Sequence, residues 1–138
     1  YNFQVFAKWF YENYIEDGRE YHLDKDILSK GNRTYSPETC CFVPADINIL
    51  FTSRKNHRGN NLLGVYYKKK NKKFCAQCAD GSGGAQVYLG LYETQEEAFL
   101  VYKKFKESVI KKQANKFRDR ISDEVYNKLL NYVVEKGD

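Results

Sequence analysis

The sequence predicts an α+β protein built from two small modules. Three segments between residues 64 and 92 alternate apolar and polar residues, as strands with one covered face do. Thr94 and Glu97 then form a capping box, which predicts that a helix packs on the apolar side. Upstream, an aromatic segment with helical spacing precedes a hairpin-like segment and a short helix. We therefore expect a hairpin-plus-helix module, a three-stranded antiparallel sheet packed on one helix, and a terminal helix.

The first module is expected over residues 1–53. Aromatic residues recur at helical spacing from Phe3 to Tyr14, which predicts a helix over residues 2 to about 16 with its aromatic side chains in the core. Residues 19–28 have the composition of a strand or hairpin arm, and a turn at 30–32 leads to a short strand over 39–43. Pro44 then marks the start of a helix that continues to about residue 52. The polar residues 54–63 are expected to be a basic linker.

The second module, residues 64–117, contains the three strands and their helix. Alternation places Val65, Tyr67, Phe74, Ala76, Cys78, Val87 and Leu89 on the apolar side. The polar side then carries Tyr66, Lys68, Lys70, Gln77, Gln86 and Tyr88. The helix is expected to cover the apolar side with Ala98, Val101, Tyr102, Phe105 and Val109. Residues 118–138 are expected to form a C-terminal helix that starts near Ser122, with Val125, Leu129, Tyr132 and Val133 as its apolar positions.

Bulk composition narrows the class of protein. The chain of 138 residues is long enough for one ordinary domain or two small ones, and 16% aromatic content can supply more than one core. No apolar run approaches the roughly 18 residues that a membrane-spanning helix needs. Four cysteines without a signal peptide favour a reducing cytoplasm. Because the sequence contains no methionine, we also expect that residues precede Tyr1 in the complete protein.

The positive charge is concentrated in a band. The net charge is +5, yet the segment between Asp46 and Asp80 contains eight basic residues and no acidic one. These are Arg54, Lys55, Arg58, Lys68, Lys69, Lys70, Lys72 and Lys73. Such a band is typical of phosphate binding, although a solvated protein face can have the same composition. Composition alone leaves both interpretations open.

The polar side of the predicted sheet favours DNA binding. In the major groove, lysine contacts phosphate or guanine, glutamine pairs with adenine, and tyrosine meets phosphate or a thymine methyl group. The alternative is an ordinary solvated face of an antiparallel sheet. Exposed tyrosines beside lysines, with no acidic residue between Asp46 and Asp80, favour the DNA interpretation.

A family resemblance supports this interpretation. The order GVYY, KKFCAQC and VYLGLYETQEEAFLVY, over about residues 62–117, resembles the APETALA-type DNA-binding domain of plant ethylene-response factors and of bacteriophage integrases and endonucleases. The resemblance implies that the sheet enters the major groove of duplex DNA while the helix packs behind it. It also implies that the DNA contacts fall on the six polar-side residues named above.

The first module resembles the HNH endonuclease module that precedes such a domain in many phage proteins. The matching segments are LDKDILSKGN, YSPETCCFVP and ADIN, over about residues 20–50. The resemblance implies that Asp24 and Asn48 hold a Mg²⁺ or Mn²⁺ ion. However, the position of the general base holds Lys25, which as an ammonium cannot accept a proton and repels a metal. The module therefore looks degenerate, and His22, on the same strand face as Asp24, is the remaining candidate base.

The four cysteines match in number a structural zinc site. Cys75 and Cys78 lie three residues apart on a predicted strand, so their side chains should point to opposite faces. Cys40 and Cys41 are adjacent in sequence. We therefore expect buried thiols, with neither zinc nor another cofactor.

Taken together, the residues predict a double-stranded DNA-binding protein of phage type, acting in the cytoplasm of an infected bacterial cell. Backbone contacts are expected from Arg54, Arg58, Lys69, Lys72 and Lys73, with His57 of the linker assisting. One alternative is a metal-dependent HNH endonuclease of the homing type. Another is a phage protein-interaction factor that acts on a host nucleic-acid machine. Duplex DNA is the expected partner, and no membrane partner is expected.

Overall fold

The computed structural model describes residues 3–30, 34–51, 61–81, 85–136 and 138. Over these residues the chain is α+β, which confirms the predicted fold class. One antiparallel sheet pairs two strands, and a second antiparallel sheet has three strands in sequence order. The elements are α1 (Phe3–Asn13), β1 (Tyr21–Asp24), β2 (Cys41–Pro44), α2 (Ala45–Asn48), a 3₁₀ turn (Ile49–Phe51), β3 (Val65–Lys68), β4 (Lys73–Ala79), β5 (Gln86–Tyr92), α3 (Gln95–Lys116), a second 3₁₀ turn (Arg118–Arg120) and α4 (Asp123–Leu130).

The strand expected at 39–43 is observed at Cys41–Pro44, so it starts two residues later and includes the proline. The predicted turn at 30–32 falls largely outside the described residues, and so does most of the basic linker. Among the described helices, none is both long enough and apolar enough to span a bilayer.

The chain divides into two compact units. Unit 1 comprises Tyr1–Leu50 and Gln113–Asn131, and unit 2 comprises Phe51–Lys112 and Tyr132–Asp138. The predicted C-terminal segment, 118–138, is thus divided between them. Unit 1 has nine Lys and Arg residues against eleven Asp and Glu, whereas unit 2 has fourteen against seven. The formal net charges are therefore −2 and +7, so the excess of positive charge belongs to unit 2.

Unit 1 is organised around the pairing of β1 with β2. Tyr21 lies opposite Pro44 at one end of this pair and Asp24 lies opposite Cys41 at the other. Because two strands alone bury little surface, the core also needs side chains from the helical segments. The buried apolar residues of the unit are Tyr21, Ile27, Cys40, Val43, Ile47, Leu50, Ala114, Phe117, Ile121, Val125 and Leu129.

Helix α1 does not enter the core, which corrects the prediction for its aromatic residues. Every residue of α1 stays at least partly exposed, and Phe3 and Tyr11 are 74% and 81% exposed. Phe10 and Trp9 instead pack against Phe42 of β2, with ring centroids 5.1 and 5.8 Å apart. Helical spacing predicted one aromatic face correctly, but the short two-stranded sheet covers only part of it.

Unit 2 consists of the three-stranded sheet with α3 on one side. Gly64, with φ of +75°, enters β3 so close to α3 that a Cβ atom there would overlap the Tyr102 ring. Burial lowers the pKa of Lys106 on α3, whereas the electrostatic interaction of Lys106 with Cys78 of β4 acts on that pKa in the opposite direction. The buried apolar residues are Val65, Cys75, Ala76, Cys78, Ala98, Phe99, Tyr102, Val109, Ile110 and Val134.

The start of α3 agrees with the predicted cap, since the backbone N–H of Glu97 donates to Thr94 Oγ1 at 3.2 Å. Its buried stripe differs in part. Phe99 and Ile110 are buried although the prediction omitted them, while Val101 and Phe105 are only half-buried. At about 100° per residue, Phe99 and Ile110 lie on one flank of the predicted stripe, and Val101 and Phe105 lie on the other, so the covered face is turned toward the Phe99 side along the whole helix.

Helix α4 begins as predicted, because Ser122 Oγ accepts a hydrogen bond of 3.2 Å from the backbone N–H of Val125. The helix ends at Leu130, so the prediction that Tyr132 and Val133 are helical positions is wrong. Tyr132 belongs to unit 2, where its ring packs edge-on against Phe51 with centroids 4.9 Å apart.

Candidate nucleic-acid interface

The cross-strand register of the second sheet gathers polar residues from all three strands on one side. Tyr66 pairs with Cys75, and Gln77 pairs with Tyr88. Directly opposed residues of antiparallel strands point to the same side of the sheet. We call this side the outer face, and its polar residues are Tyr66, Lys68, Lys73, Gln77, Gln86 and Tyr88.

The opposite side of the sheet is the one that α3 covers. Val65 and Ala76 pair with each other on that side, and both are buried. Tyr67 also belongs to that side, yet it is 45% exposed and packs against Phe74 with ring centroids 5.2 Å apart. Tyr67 therefore lies on the predicted side of the sheet, but α3 covers its end of the strand only in part.

A bulge decides which way the polar residues of β5 point. Ala76 pairs with Gly90, but the next residue of β4, Gln77, pairs with Tyr88. Leu89 is therefore the extra residue on β5. One extra residue reverses the side on which all following residues of a strand lie. Without the bulge Tyr88 would oppose Cys78 and point toward α3.

Gly90 and Tyr92 stabilise this bulge. Gly90 has φ of +118°, a backbone conformation that residues with a side chain rarely adopt. The Tyr92 hydroxyl donates a hydrogen bond of 2.7 Å to the carbonyl oxygen of Leu89. This bond satisfies a carbonyl that the irregular pairing exposes. The bulge is thus specified by a glycine and by one side-chain contact.

Tyr66 lies over a closely packed part of the outer face. Its pair partner Cys75 is wholly buried. Hydrogen bonding with the Cys75 side chain, followed by burial, raises the pKa of the Tyr66 hydroxyl. The hydroxyl therefore stays protonated at neutral pH and keeps a hydrogen atom to donate.

A cation–π contact connects the two edge strands across the outer face. Lys68 Nζ of β3 lies 5.6 Å from the centroid of the Tyr88 ring of β5. Tyr88 is 56% exposed, so the pair remains accessible from solvent. Such contacts contribute about 0.5–1 kcal/mol at exposed sites. The Lys68 ammonium is thus held above the middle of the sheet.

The remaining lysines of the band lie at one end of the sheet. Lys69, Lys70 and Lys72 are exposed in the turn between β3 and β4. Lys70 was predicted on the polar side of a strand, and the structure places it in this turn instead. Lys73, the first residue of β4, is 3.3 Å from the Glu93 carboxylate. Arg54 and Arg58, with His57, lie outside the described residues.

The structure brings together two of the candidate nuclease residues. His22 Nδ1 is 3.1 Å from Asn48 Nδ2, and His22 Nε2 is 3.0 Å from the Glu20 carboxylate. This arrangement fits a neutral imidazole that donates from Nε2 to Glu20 and accepts at Nδ1 from the Asn48 amide. Both ring nitrogens then have partners within the protein.

Asp24, the third candidate nuclease residue, has a structural role. Its Oδ2 atom accepts hydrogen bonds from the backbone N–H groups of Asp26 and Ile27, at 2.8 and 2.7 Å. Burial raises the pKa of its carboxyl group, despite these two bonds that act in the opposite direction. Lys25 Nζ lies 3.3 Å from the Asp26 carboxylate. Asp24 therefore holds the turn that follows β1.

His22 and Asn48 are thus hydrogen-bonded to each other, whereas Asp24 is hydrogen-bonded to the backbone. Over the described ranges, no three His, Cys, Asp or Glu side chains are grouped as metal ligands.

The two cysteines of the second sheet lie on opposite sides of it. Cys75 belongs to the outer face and Cys78, paired with Val87, belongs to the opposite side. In unit 1, burial raises the pKa of Cys40 and raises that of Cys41 to about 12. A metal that bound either thiol would therefore have to displace its proton.

Two features of the outer face were not predicted from the sequence. One is the bulge, for which a glycine inside a strand was the available signal. The other is Leu91, which pairs with Cys75 and so adds an apolar side chain to the outer face.

In comparisons with known proteins, no family model, no curated protein and no solved structure matches the chain.

Proposed function

We propose that the protein binds duplex DNA with the outer face of its three-stranded sheet. The observation that carries the proposal is the shared orientation of five residues that the sequence singled out for this role. They are Tyr66, Lys68, Gln77, Gln86 and Tyr88. Helix α3 covers the other side of the sheet, which leaves these side chains as its accessible polar surface.

The dimensions of the sheet suit the major groove. Neighbouring strands lie about 4.8 Å apart, so three strands span about 10 Å. The major groove of B-DNA is about 12 Å wide and presents distinct hydrogen-bonding groups for each base pair. A sheet lying along the groove would direct its outer face at the base edges.

The side chains of the outer face divide into two roles. Lys68, with the lysines of the β3–β4 turn, supplies positive charge for phosphates, in a unit whose net charge is +7. The amides of Gln77 and Gln86 suit the paired donor and acceptor of adenine. The Tyr66 hydroxyl could donate to a phosphate or a base acceptor in place of the Cys75 sulfur. Affinity thus arises mainly from lysine, and selectivity from glutamine and tyrosine.

The proposal is tested by fluorescence anisotropy with a labelled random duplex over a series of salt concentrations. Lys68→Ala should weaken binding and reduce the slope of log K against log [salt] by about 1. Lys104→Ala is the matched control, because Lys104 is an exposed lysine of α3, on the covered side of the sheet. Equal slopes for wild type, Lys68→Ala and Lys104→Ala would remove the outer face from consideration.

DNA cleavage is not part of this proposal, because His22 and Asp24 are engaged in hydrogen bonds within unit 1. An incubation of plasmid DNA with Mg²⁺ or Mn²⁺ separates binding from cleavage. We expect supercoiled plasmid to remain intact. Metal-dependent nicking by the wild type that Asp24→Ala abolishes would assign a nuclease activity to unit 1.

A further inference from the structure

Unit 1 contains a cleft of about 620 Å³ that the DNA-binding proposal does not use. One wall is aromatic. Trp9 and Phe42, which both line the cleft, stack with ring centroids 5.8 Å apart and an angle of 12° between their planes. Phe6 also stacks on Trp9, with ring centroids 5.7 Å apart, so this wall of the cleft is part of an aromatic cluster.

The other walls carry an excess of negative charge. Four carboxylates line the cleft, from Asp17, Glu38, Asp119 and Glu124, against two guanidinium groups. Asp17 already has partners, because it accepts hydrogen bonds from the Tyr21 hydroxyl at 2.7 Å and from the backbone N–H of Arg19 at 3.0 Å.

The remaining three carboxylates are available. Within the part of the chain that the structure describes, Glu38, Asp119 and Glu124 form neither an ion pair nor a side-chain hydrogen bond. Arg120, which also lines the cleft, is held by the Tyr21 hydroxyl at 3.2 Å from its Nε atom. With Arg19 as the second guanidinium, four carboxylates against two cations give the lining a formal net charge of −2 beside an aromatic wall.

Unit 1 already places cations against aromatic rings. The Arg120 guanidinium lies over the rings of Tyr21 and Phe117, at 5.0 and 5.2 Å from their centroids. Arg118 lies over the Tyr126 ring at 4.4 Å and also binds the Asp123 carboxylate. Two ammonium groups are placed in the same way, since Lys25 Nζ lies 5.8 Å from the Tyr35 centroid and Lys116 Nζ lies 5.4 Å from the Phe117 centroid. Such surroundings thus suit either cation, and the preference for arginine rests on the shape of its head group. A planar guanidinium stacks on a ring and pairs with a carboxylate at its edge, which an ammonium does less well.

We propose that the cleft binds an arginine side chain presented by a peptide segment of a partner protein. The aromatic wall continues beyond the cleft, since the Tyr14 ring packs on the Phe42 ring with centroids 5.5 Å apart and Tyr14 is 43% exposed. Apolar residues next to the arginine in the partner would pack on this continuation. Net negative charge selects a basic segment, and the aromatic surface selects arginine over lysine.

The test uses Trp9 as its own reporter, because it is the single tryptophan of the chain. The probe is a seven-residue peptide with a central arginine flanked by leucines, and the comparison peptides carry lysine or glutamine in its place. We expect a saturable change of tryptophan fluorescence with the arginine peptide. Affinity should fall at least three-fold with lysine and at least ten-fold with glutamine. Equal affinity for the arginine and glutamine peptides would overturn the proposal.

The cleft carboxylates are tested together. The variant Glu38→Gln/Asp119→Asn/Glu124→Gln should bind the arginine peptide at least ten-fold more weakly. Its circular dichroism spectrum and DNA affinity report on folding. Should this variant unfold, Glu38→Gln alone serves, since Glu38 is exposed and its replacement should weaken binding at least two-fold.

The matched control neutralises three exposed carboxylates of unit 1 outside the cleft and thus changes net charge equally: Glu12→Gln, Glu16→Gln and Asp46→Asn. We expect less than a two-fold loss of peptide affinity in this control. An equal loss in both triple variants would show a general charge effect and would contradict a site in the cleft.

Discussion

The ammonium of Lys68 lies over the ring of Tyr88, 5.6 Å from its centroid, and so joins the first and third strands of the sheet. In the proposed complex this contact orients a phosphate-binding or guanine-binding cation. Removing the ring should therefore affect DNA affinity through the lysine. Because both side chains are on the outer face, the effect can be separated from folding.

Tyr88→Leu should weaken DNA binding about two- to five-fold, which corresponds to the usual contribution of a cation–π contact at an exposed site. Tyr88→Phe keeps the ring and should retain the part of the affinity that depends on it. Combining each change with Lys68→Ala gives a double-mutant cycle measured by anisotropy. Additive losses for Tyr88→Leu and Lys68→Ala would show that the two side chains act independently.

The bulge provides a second prediction for the interface. Gly90→Ala introduces a Cβ atom 3.0 Å from the Tyr92 hydroxyl at a φ of +118°. We expect a loss of about 1–3 kcal/mol in the free energy of unfolding, since a strained backbone has costs of that size. DNA affinity should also fall, because Tyr88 and Gln86 depend on the bulge for their orientation. Urea unfolding and anisotropy measure the two effects, and unchanged values in both would contradict the role of the bulge.

The bulge also shows how far the sequence could predict this sheet. Alternation over Val65–Lys68 and along β4 predicted the two sides correctly, because regular strands have a period of two. A period of two contains no information about an inserted residue, so the position of Leu91 on the outer face could not be deduced. For β5 the prediction placed Gln86 and Tyr88 on the correct side only because Val87, between them, is apolar.

In unit 1 the sequence-based prediction was incomplete for a different reason. Helical spacing predicted α1, but it could not show how much of the aromatic face the small sheet would cover. The cleft depends on residues as far apart in sequence as Trp9 and Glu124. Single-sequence patterns describe neighbours along the chain, and therefore could not predict this juxtaposition.

Gly64 and Gly18 form a matched pair for stability, since both have positive φ, of +75° and +80°. A Cβ atom at Gly64 would overlap the Tyr102 ring, whereas one at Gly18 would meet open space. Gly18→Ala should therefore lose only about 1–2 kcal/mol, from the backbone conformation. Gly64→Ala should lose about 1–3 kcal/mol more, because the ring must move in a packed core. Similar losses for both variants in urea unfolding would contradict the close approach of α3 to β3.

The buried carboxyl of Asp24 should make the free energy of unfolding depend on pH. Burial raises the pKa of its carboxyl above the value of 3.8 that it has when exposed. Between 3.8 and the raised pKa the folded state holds a proton that the unfolded state has lost, so this group favours folding as pH falls and disfavours it as pH rises. Asp24→Asn keeps an acceptor for the Asp26 and Ile27 N–H groups but cannot ionise. The variant should therefore gain stability relative to wild type as pH rises from about 4 through the raised pKa.

Urea unfolding at a series of pH values measures this difference between wild type and Asp24→Asn. Parallel curves would show that Asp24 titrates alike in the folded and unfolded states. Asp24→Ala serves as the companion variant, because it leaves the two backbone N–H groups without their acceptor. Relative to Asp24→Asn, which cannot ionise either, it should lose about 1–3 kcal/mol at every pH.

Cys41 provides the last prediction, which concerns reactivity. Burial raises the pKa of its thiol to about 12, so at pH 8 only about one molecule in 10⁴ carries the thiolate that reacts with iodoacetamide. Native protein should therefore leave Cys41 unmodified under conditions that label an exposed cysteine, introduced as Ser29→Cys. In guanidinium chloride all four native cysteines, which are free thiols, should react. Mass spectrometry of tryptic peptides measures the labelling, and a rate for native Cys41 equal to that of Ser29→Cys would contradict the raised pKa of this half-buried thiol.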